Sequence, residues 1–383
     1  MSTTSRTDDR SASPARSAIQ DVLSEANVQL NGSRPWDPQV HDDRFYRRVL
    51  SNGSLAAGEA YMDGWWDCES LDGLFYRILR ARIDQELGWS WEYLWNYLRA
   101  SLLNLQDPER AFEVGEEHYD RGNDLFRRML DERMMYSCAY WRNAETLVDA
   151  QEAKLDLICR KLKLEPGMRV LDIGCGWGGF AEYAAETYGV EVVGITVSEE
   201  QRRHARERCT DLPVRIRLQD YRDVEEEFDR VLSIGMFEHV GMKNYRTYME
   251  TVRRCLKDPD GLSLLVTIGN SSSTPLTEPW IEKYIFPNGH IPTRQQIVDA
   301  AKDLFVMEDW HNIGPDYDRT LMAWADNFET AWDEIKDAYS ERFYRMWRYY
   351  LYQCAGAFRA RRNQLWQIVL SPEGVDGRYE SVR

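Results

Sequence analysis

The stretch "VLDIGCGWGGF", residues 170–180, runs from apolar residues straight into a turn crowded with glycine. Helix formers follow it. This is the join of a strand to a helix, because glycine allows both the tight turn and the close approach of a ligand to the backbone. Gly174, Gly176 and Gly179 satisfy GxGxxG, a spacing that alone fits many nucleotide sites. A dinucleotide site also wants an acid at the end of the second strand, to hold a ribose. Here that strand ends in "GITVSEEQ" (194–201), with Gly194 and Thr196 in the acid's place. The acid lies ahead of the glycines, as Asp172. From there its carboxylate can order the loop, while Gly174 and Gly176 leave room for a ligand against the backbone.

Outward from this turn, strands and helices alternate. "RVLDIG" (169–174) is followed by helical "FAEYAAETYG", and "VEVVGITVS" (190–198) by helical "EEQRRHARERC". "VRIRLQD", "DRVLSIG" and "LSLLVTIG" continue the series. Short apolar runs joined by helical crossovers predict an α/β fold, a doubly wound parallel sheet covered on both faces. Two later runs, "FVMEDWHNI" and "LWQIVLS", add strands at its edge. Ahead of the sheet, a helical pattern from Glu145 sets Ala150, Ala153, Leu157 and Leu164 on one face, until "EPG" stops it. Residues 18–105, rich in tryptophan and helix formers, read as a smaller helical or mixed domain with turns at "NGS", "SNGS" and "MDGWWD". Residues 106–124 read as a charged linker, the catalytic part running to residue 383. Residues 1–17 are polar and read as a disordered tail rather than a signal peptide.

The formal charge of −16 argues against nucleic acid as a partner. Seven cysteines, scattered singly, fit a reducing cytosol and argue against a disulfide framework or a metal ribbon. No apolar run is long enough to cross a membrane. Against the acidic background, "RFYRMWRYYLYQCAGAFRARR" (342–362) is arginine-rich, aromatic and free of acid. A solvated helix face and contact with an anionic lipid surface explain it equally well.

Three further stretches carry candidate ligands. "SEEQ" (198–201) has a capping-box pattern, with Ser198 as N-cap and Gln201 reaching back to the backbone. Capping alone explains both residues, and a cofactor contact by Gln201 is the alternative. "LQDYRD" ends the third strand and places Asp220 and Tyr221 where an adenine can be hydrogen-bonded and covered. "VLSIGMFEHVG" (231–241) sets Glu238 and His239 where the fourth strand stops, and ionisable groups there need partners or a site.

The acid-before-glycine arrangement resembles the first motif of S-adenosylmethionine-dependent methyltransferases. The chain as a whole resembles the cyclopropane-fatty-acyl-phospholipid synthases, through "GEAYMDGWWDC", "GEEHYDRGNDLF", "YSCAYW", "VLDIGCGWGG", "QDYRD", "SIGMFEHVG", "NYRTY", "KYIFPNG", "DWHNIGPDYDRTLMAW" and "CAGAFRARRNQLWQ", in that order. The resemblance implies a Rossmann-like class I methyltransferase sheet with a lipid-binding N-terminal domain. It implies methylene transfer from S-adenosylmethionine to the cis double bond of a phospholipid acyl chain, through a carbocation deprotonated by bound bicarbonate. By the same carry-over, Glu238 accepts the bicarbonate hydroxyl, Cys138 and Tyr317 line the anion, and Ile268 contributes backbone. His239 orients Glu238 or is structural. Cys354 matches a cysteine suspected of catalysis, although a lone cysteine beside small residues also reads as packing. Tyr136 and Ser137 join Asp172, Gly174, Gly176, Thr196, Gln201, Asp220 and Tyr221 as cofactor contacts. The resemblance further implies a cytoplasmic homodimer that touches the inner membrane transiently.

One position departs from the family pattern. Where the family has histidine before "TIG", this chain has Val266. Valine cannot hold an anion, so weaker bicarbonate binding or a lower rate is expected, unless His290 of "FPNGHIP" compensates. A methyltransferase for a soluble amine and a non-catalytic lipid- or cofactor-binding protein are the competing readings.

Overall fold

The computed structural model describes residues 14–83, 123–257, 259, 261–270 and 278–383. Helix α1 (Pro14–Glu25) begins inside the stretch read as a disordered tail, and Ile19 buries itself from it. Proline suits a helix start, where its missing N–H has no partner to lose. Strand β1 (Gln39–Val40) pairs antiparallel with β2 (Trp66–Asp67), on either side of α2 (Arg44–Met62), and α3 (Leu71–Arg80) follows. "NGS" and "MDGWWD" do make turns. "SNGS" breaks α2 into two helical pieces that meet across a kink at Gly53 (φ 56°, ψ −134°), a conformation that only glycine adopts easily. The expected domain boundary at 105 and nearly all of the linker lie outside the described residues.

The helix read from Glu145 is α5 (Leu147–Lys161), preceded by α4 (Asn123–Met129). Ala150 and Leu157 are buried, as is Leu164 just beyond, and Ala153 is half-buried. The sheet then follows the alternation seen in the sequence: β3 (Arg169–Ile173), α6 (Gly179–Tyr188), β4 (Glu191–Thr196), α7 (Glu199–Arg208), β5 (Val214–Leu218), β6 (Arg230–Ile234), α8 (Tyr245–Cys255) and β7 (Leu262–Asn270). Helices α9 (Pro279–Tyr284) and α10 (Arg294–Ala301) lead to β8 (Val306–Asn312). The long pair α11 (Gly314–Ile335) and α12 (Glu341–Arg359) leads to β9 (Asn363–Ser371).

The strand order is β5-β4-β3-β6-β7-β9-β8, with β3 to β7 parallel and β9 antiparallel to both its neighbours. The two late strands do extend the sheet beyond β7, with β9 between β7 and β8, so "LWQIVLS" is an interior strand, and its burial on both faces accounts for its nearly unbroken apolar character.

The N-terminal helices do not close a core of their own. Tyr61, Trp66, Leu74 and Phe75 share one apolar cluster with Trp280, Trp324, Tyr349 and Phe358. Gly356 of α12 packs so tightly on α3 that an added Cβ would lie 2.6 Å from Phe75. Most of the arginine-rich segment forms α12, and the four arginines on that helix face acids of the same chain, while Arg361 beyond it donates to Gln364. Arg342 pairs with Asp63 (3.1 Å), Arg345 with Asp67 (2.7 Å), Arg348 with Glu329 (2.6 Å), and Arg359 with both Asp318 (2.8 Å) and Asp72 (2.5 Å).

Candidate active site

The carboxyl ends of β3, β4, β5 and β6 open into one cleft, and every residue expected to touch the cofactor lines it. Gly174 and Gly176 carry φ of 81° and 54°, and a Cβ on Gly174 would meet Met236 at 2.8 Å, so both the turn and the space require glycine. Asp172 is buried at its floor, and burial lifts its carboxyl to about 7. On the far wall, Ser198 caps α7 by accepting from the Gln201 amide at 3.2 Å. The capping box stays half-made, since the Gln201 side chain accepts from Thr196 Oγ1 at 2.9 Å and lines the cleft instead. Asp220 takes three contacts from Arg222, at 2.7–2.9 Å. Tyr221 packs edge-on against Tyr248 at 5.6 Å.

The loop "MYSCAY" forms the near wall, and two buried polar residues of α5 brace it. Gln151 Nε2 donates to the carbonyls of Met135 and Ser137 (3.3 and 2.9 Å). Lys154, 1 % exposed, donates to Ser137 Oγ at 3.0 Å. Burial lowers its ammonium to about 8, against the opposing fields of Asp131, Cys138 and Asp172. Neither residue was singled out in the sequence. The available signal was a lysine set between Ala150 and Leu157 on the apolar face of a helix.

Behind this wall lies a second group. Glu238 sits in a short 3₁₀ turn after β6, where Oε1 accepts from the Ile268 amide at 2.7 Å and Oε2, buried, has no partner. Burial raises its carboxyl to about 7, and the hydrogen bonds it accepts only partly oppose this. Tyr317, on the first turn of α11, lies near enough to Cys138, Tyr136, Glu238 and Cys354 for each to oppose loss of its proton when ionised, so these expected side chains do come together. Burial pushes the Tyr317 and Cys138 protons well above their ordinary range, which keeps both as donors at neutral pH. Cys138 lies 4.0 Å from Thr320 Oγ1. Burial pushes the Cys354 thiol up to about 12, which keeps it protonated at neutral pH.

His239 lines the cofactor cleft. Two expectations take a different form. The Ile268 N–H is already donated to Glu238. His290 touches Glu238 only through its backbone, its N–H donating to the Glu238 carbonyl at 2.8 Å, while its ring, held near 4 by burial, lies against Tyr245.

Aromatic rings connect the two groups. His239 faces Phe286 (6.1 Å), and Phe286 faces Tyr350 (5.8 Å). Tyr350 Oη lies 2.8 Å from Tyr136 Oη, whose ring packs on Trp324 (5.3 Å); Trp324 meets Tyr317 (5.9 Å), and Tyr317 meets Phe358 (4.5 Å). The glycine-turn cleft is therefore joined by packed aromatic rings to a buried group that holds one orphaned carboxylate oxygen.

The sequence profile described as "Mycolic acid cyclopropane synthetase" matches residues 106–368. The cyclopropane-fatty-acyl-phospholipid synthase of Escherichia coli K12 is 57 % identical over 93 % of this chain and 93 % of its own. The cyclopropane synthase MmaA2 from Mycobacterium tuberculosis is 35 % identical, with a TM-score of 0.65 over 70 % of this chain and all of its own. The mycolic acid cyclopropane synthase CmaA1, crystallised with SAH and CTAB, is 33 % identical, with a TM-score of 0.64 over 68 % of this chain and 98 % of its own. The chain belongs to the mycolic acid cyclopropane synthetase family and is an S-adenosylmethionine-dependent methyltransferase with the Rossmann-like sheet of that class.

Proposed function

We propose that the protein transfers a methylene group from S-adenosylmethionine to the cis double bond of an unsaturated acyl chain in a membrane phospholipid. One observation carries this reading beyond methyl transfer in general: the buried, unpartnered Oε2 of Glu238, beside Tyr317 and Cys138 at the end of the aromatic chain. An alkene is a weak nucleophile, so it must be held close to the methyl and in line with the sulfur. Attack leaves a carbocation on the acyl chain, which water would trap. The rings from Phe286 to Phe358 exclude water and turn electron-rich faces toward that charge. A proton must then leave so that the three-membered ring can close.

The residues present suit a bicarbonate ion as the base. Glu238 Oε2 is an acceptor lacking a donor, which a hydroxyl supplies, and Tyr317 keeps its proton for another oxygen, while the Cys138 thiol would have to turn from the Ala139 carbonyl, to which it donates at 3.2 Å, to reach the anion. Bicarbonate held there supplies the basic oxygen for ring closure. Glu238 orients it, and the Ile268 amide orients Glu238. Val266 adds no polar contact.

On this reading the protein works as a cytoplasmic homodimer that meets the inner-membrane surface transiently. Among the described residues no helix is long and apolar enough to cross a membrane. The test incubates the protein with S-adenosylmethionine, bicarbonate and vesicles of a monounsaturated phospholipid. Gain of one CH₂ with loss of the alkene is expected in the acyl mass spectrum. A methyl gained by a soluble amine instead, or no turnover on either, overturns the proposal.

A further inference from the structure

Gln367 is wholly buried in the middle of β9, and neither its Oε1 nor its Nε2 has a partner. A side-chain amide carries two donor hydrogens and an accepting oxygen, and leaving all of them unmade in a core is strongly unfavourable. The register shows where the amide stands. Gln367 pairs with Val266 of β7 on one side and with His311 of β8 on the other. Side chains of directly paired residues project from the same face of a sheet.

That face lies under the candidate site. Ile268, two residues beyond Val266 on the same face, gives its amide to Glu238. On the other flank the His311 ring lies 5.9 Å from Tyr140, two residues past Cys138 in the wall loop. Leu365, opposite Ile268, accepts from the Ile313 amide, immediately ahead of the helix that carries Tyr317. The Gln367 amide thus sits in the sheet floor among the segments that bring Glu238, Cys138 and Tyr317 together. Its same-face neighbours Val266, Leu365 and Val369 are apolar and cannot satisfy it, and the His311 ring opposite it makes no hydrogen bond to the amide, its Nδ1 being unpartnered too.

We infer that Gln367 is an anion-binding residue, whose Nε2 donates to bicarbonate over the position where Val266 offers no donor. This rests on the proposed role of the anion, and the test separates the two. Gln367→Met keeps an unbranched side chain of similar length without the amide. Bicarbonate titrations are read two ways, as the rise in melting temperature and as turnover. In Gln367→Met the half-maximal bicarbonate concentration is expected to rise about tenfold in both, the effect of one lost hydrogen bond to a charged group. S-adenosylmethionine affinity, followed by tryptophan fluorescence, is expected to stay unchanged. Without bicarbonate the melting temperature is expected to hold or rise, because an unsatisfied amide has been removed.

Identical bicarbonate titrations in parent and variant overturn the inference. A parent insensitive to bicarbonate in both readouts overturns the anion reading itself. Val266→His provides a second reading: an imidazole donor beside the amide is expected to tighten bicarbonate binding, and Gln367→Met on that background to cost less than on the parent. Strict additivity of the two substitutions argues against a shared anion and overturns the inference.

Discussion

Asp172 and Glu238 stand at the ends of neighbouring strands, and burial lifts both carboxyl groups to about 7. For Asp172 this makes cofactor binding sensitive to pH. If the carboxylate faces the cofactor's positive charge, only the ionised form binds well, so a proton must leave below pH 7 and none need leave above it. S-adenosylmethionine affinity is expected to weaken about tenfold from pH 8 to pH 6. Calorimetry in buffers of different ionisation heat would show the released proton. Asp172→Asn is expected to bind weakly at both pH values, with the dependence gone. Lys154→Met removes the cation that braces Ser137 and opposes Asp172. A loss of about 2–3 kcal/mol in urea unfolding is expected, with a raised KM for S-adenosylmethionine, as for a buried hydrogen bond from a charged donor. Asp172 and Glu238 were legible in the sequence because a charge at a strand end has few structural excuses. Lys154 was not, because one lysine in a helix reads as surface until the face it shares is known to be covered.

Among the elements, α12 shows how far a charge pattern can be read. Its arginines, with no acid between them in sequence, fitted a lipid-facing surface as well as a solvated one. The acids they pair with lie elsewhere in the chain, in the N-terminal segment from Asp63 to Asp72 and on α11. Arg359→Ala is expected to lower stability by about 1 kcal/mol, with the effect shrinking in high salt, because the side chain is one-third exposed and its pairs are screened. Gly58→Ala is expected to do more harm, since its Cβ would fall 2.4 Å from the Trp280 ring and force α2 off α9. Overpacking of that kind costs about 1–3 kcal/mol in urea titrations. "SNGS" was legible locally: its glycine takes the non-helical conformation at which the two pieces of α2 meet.

At the scale of the whole molecule, the N-terminal helices and the α11–α12 pair are one packing unit. Tyr349 alone meets Tyr61, Trp66, Phe75 and Trp280 within 6.4 Å. A chain starting at residue 106 is expected to bind a hydrophobic dye and aggregate on concentration, though its sheet sequence is intact, because that aromatic surface would be bared. Solubility and dye fluorescence check this. With Arg342, Arg345, Arg348 and Arg359 paired inside the chain and a net charge of −16, anionic lipid has little to attract. Adding anionic phospholipid to zwitterionic vesicles is expected to raise binding less than about threefold in a flotation assay, well below the increase an open polybasic face gives.

The sequence by itself determined the alternating sheet, the glycine turn and the acid before it, because strand periodicity and turn chemistry are local and each can be read within about ten residues. It also pointed to the side chains that converge behind the cleft, through motifs that mark the family. Only the tertiary structure decided that β9 enters between β7 and β8, that the arginines of α12 face acids far away in the chain, and that Gln201 turns to Thr196 rather than to its own backbone. These are choices among partners distant in sequence, and no local pattern records which partner lies nearest. The valine at 266 belongs to both accounts: its identity was plain in the sequence, and the unpartnered amide across the strand from it appeared only in the fold.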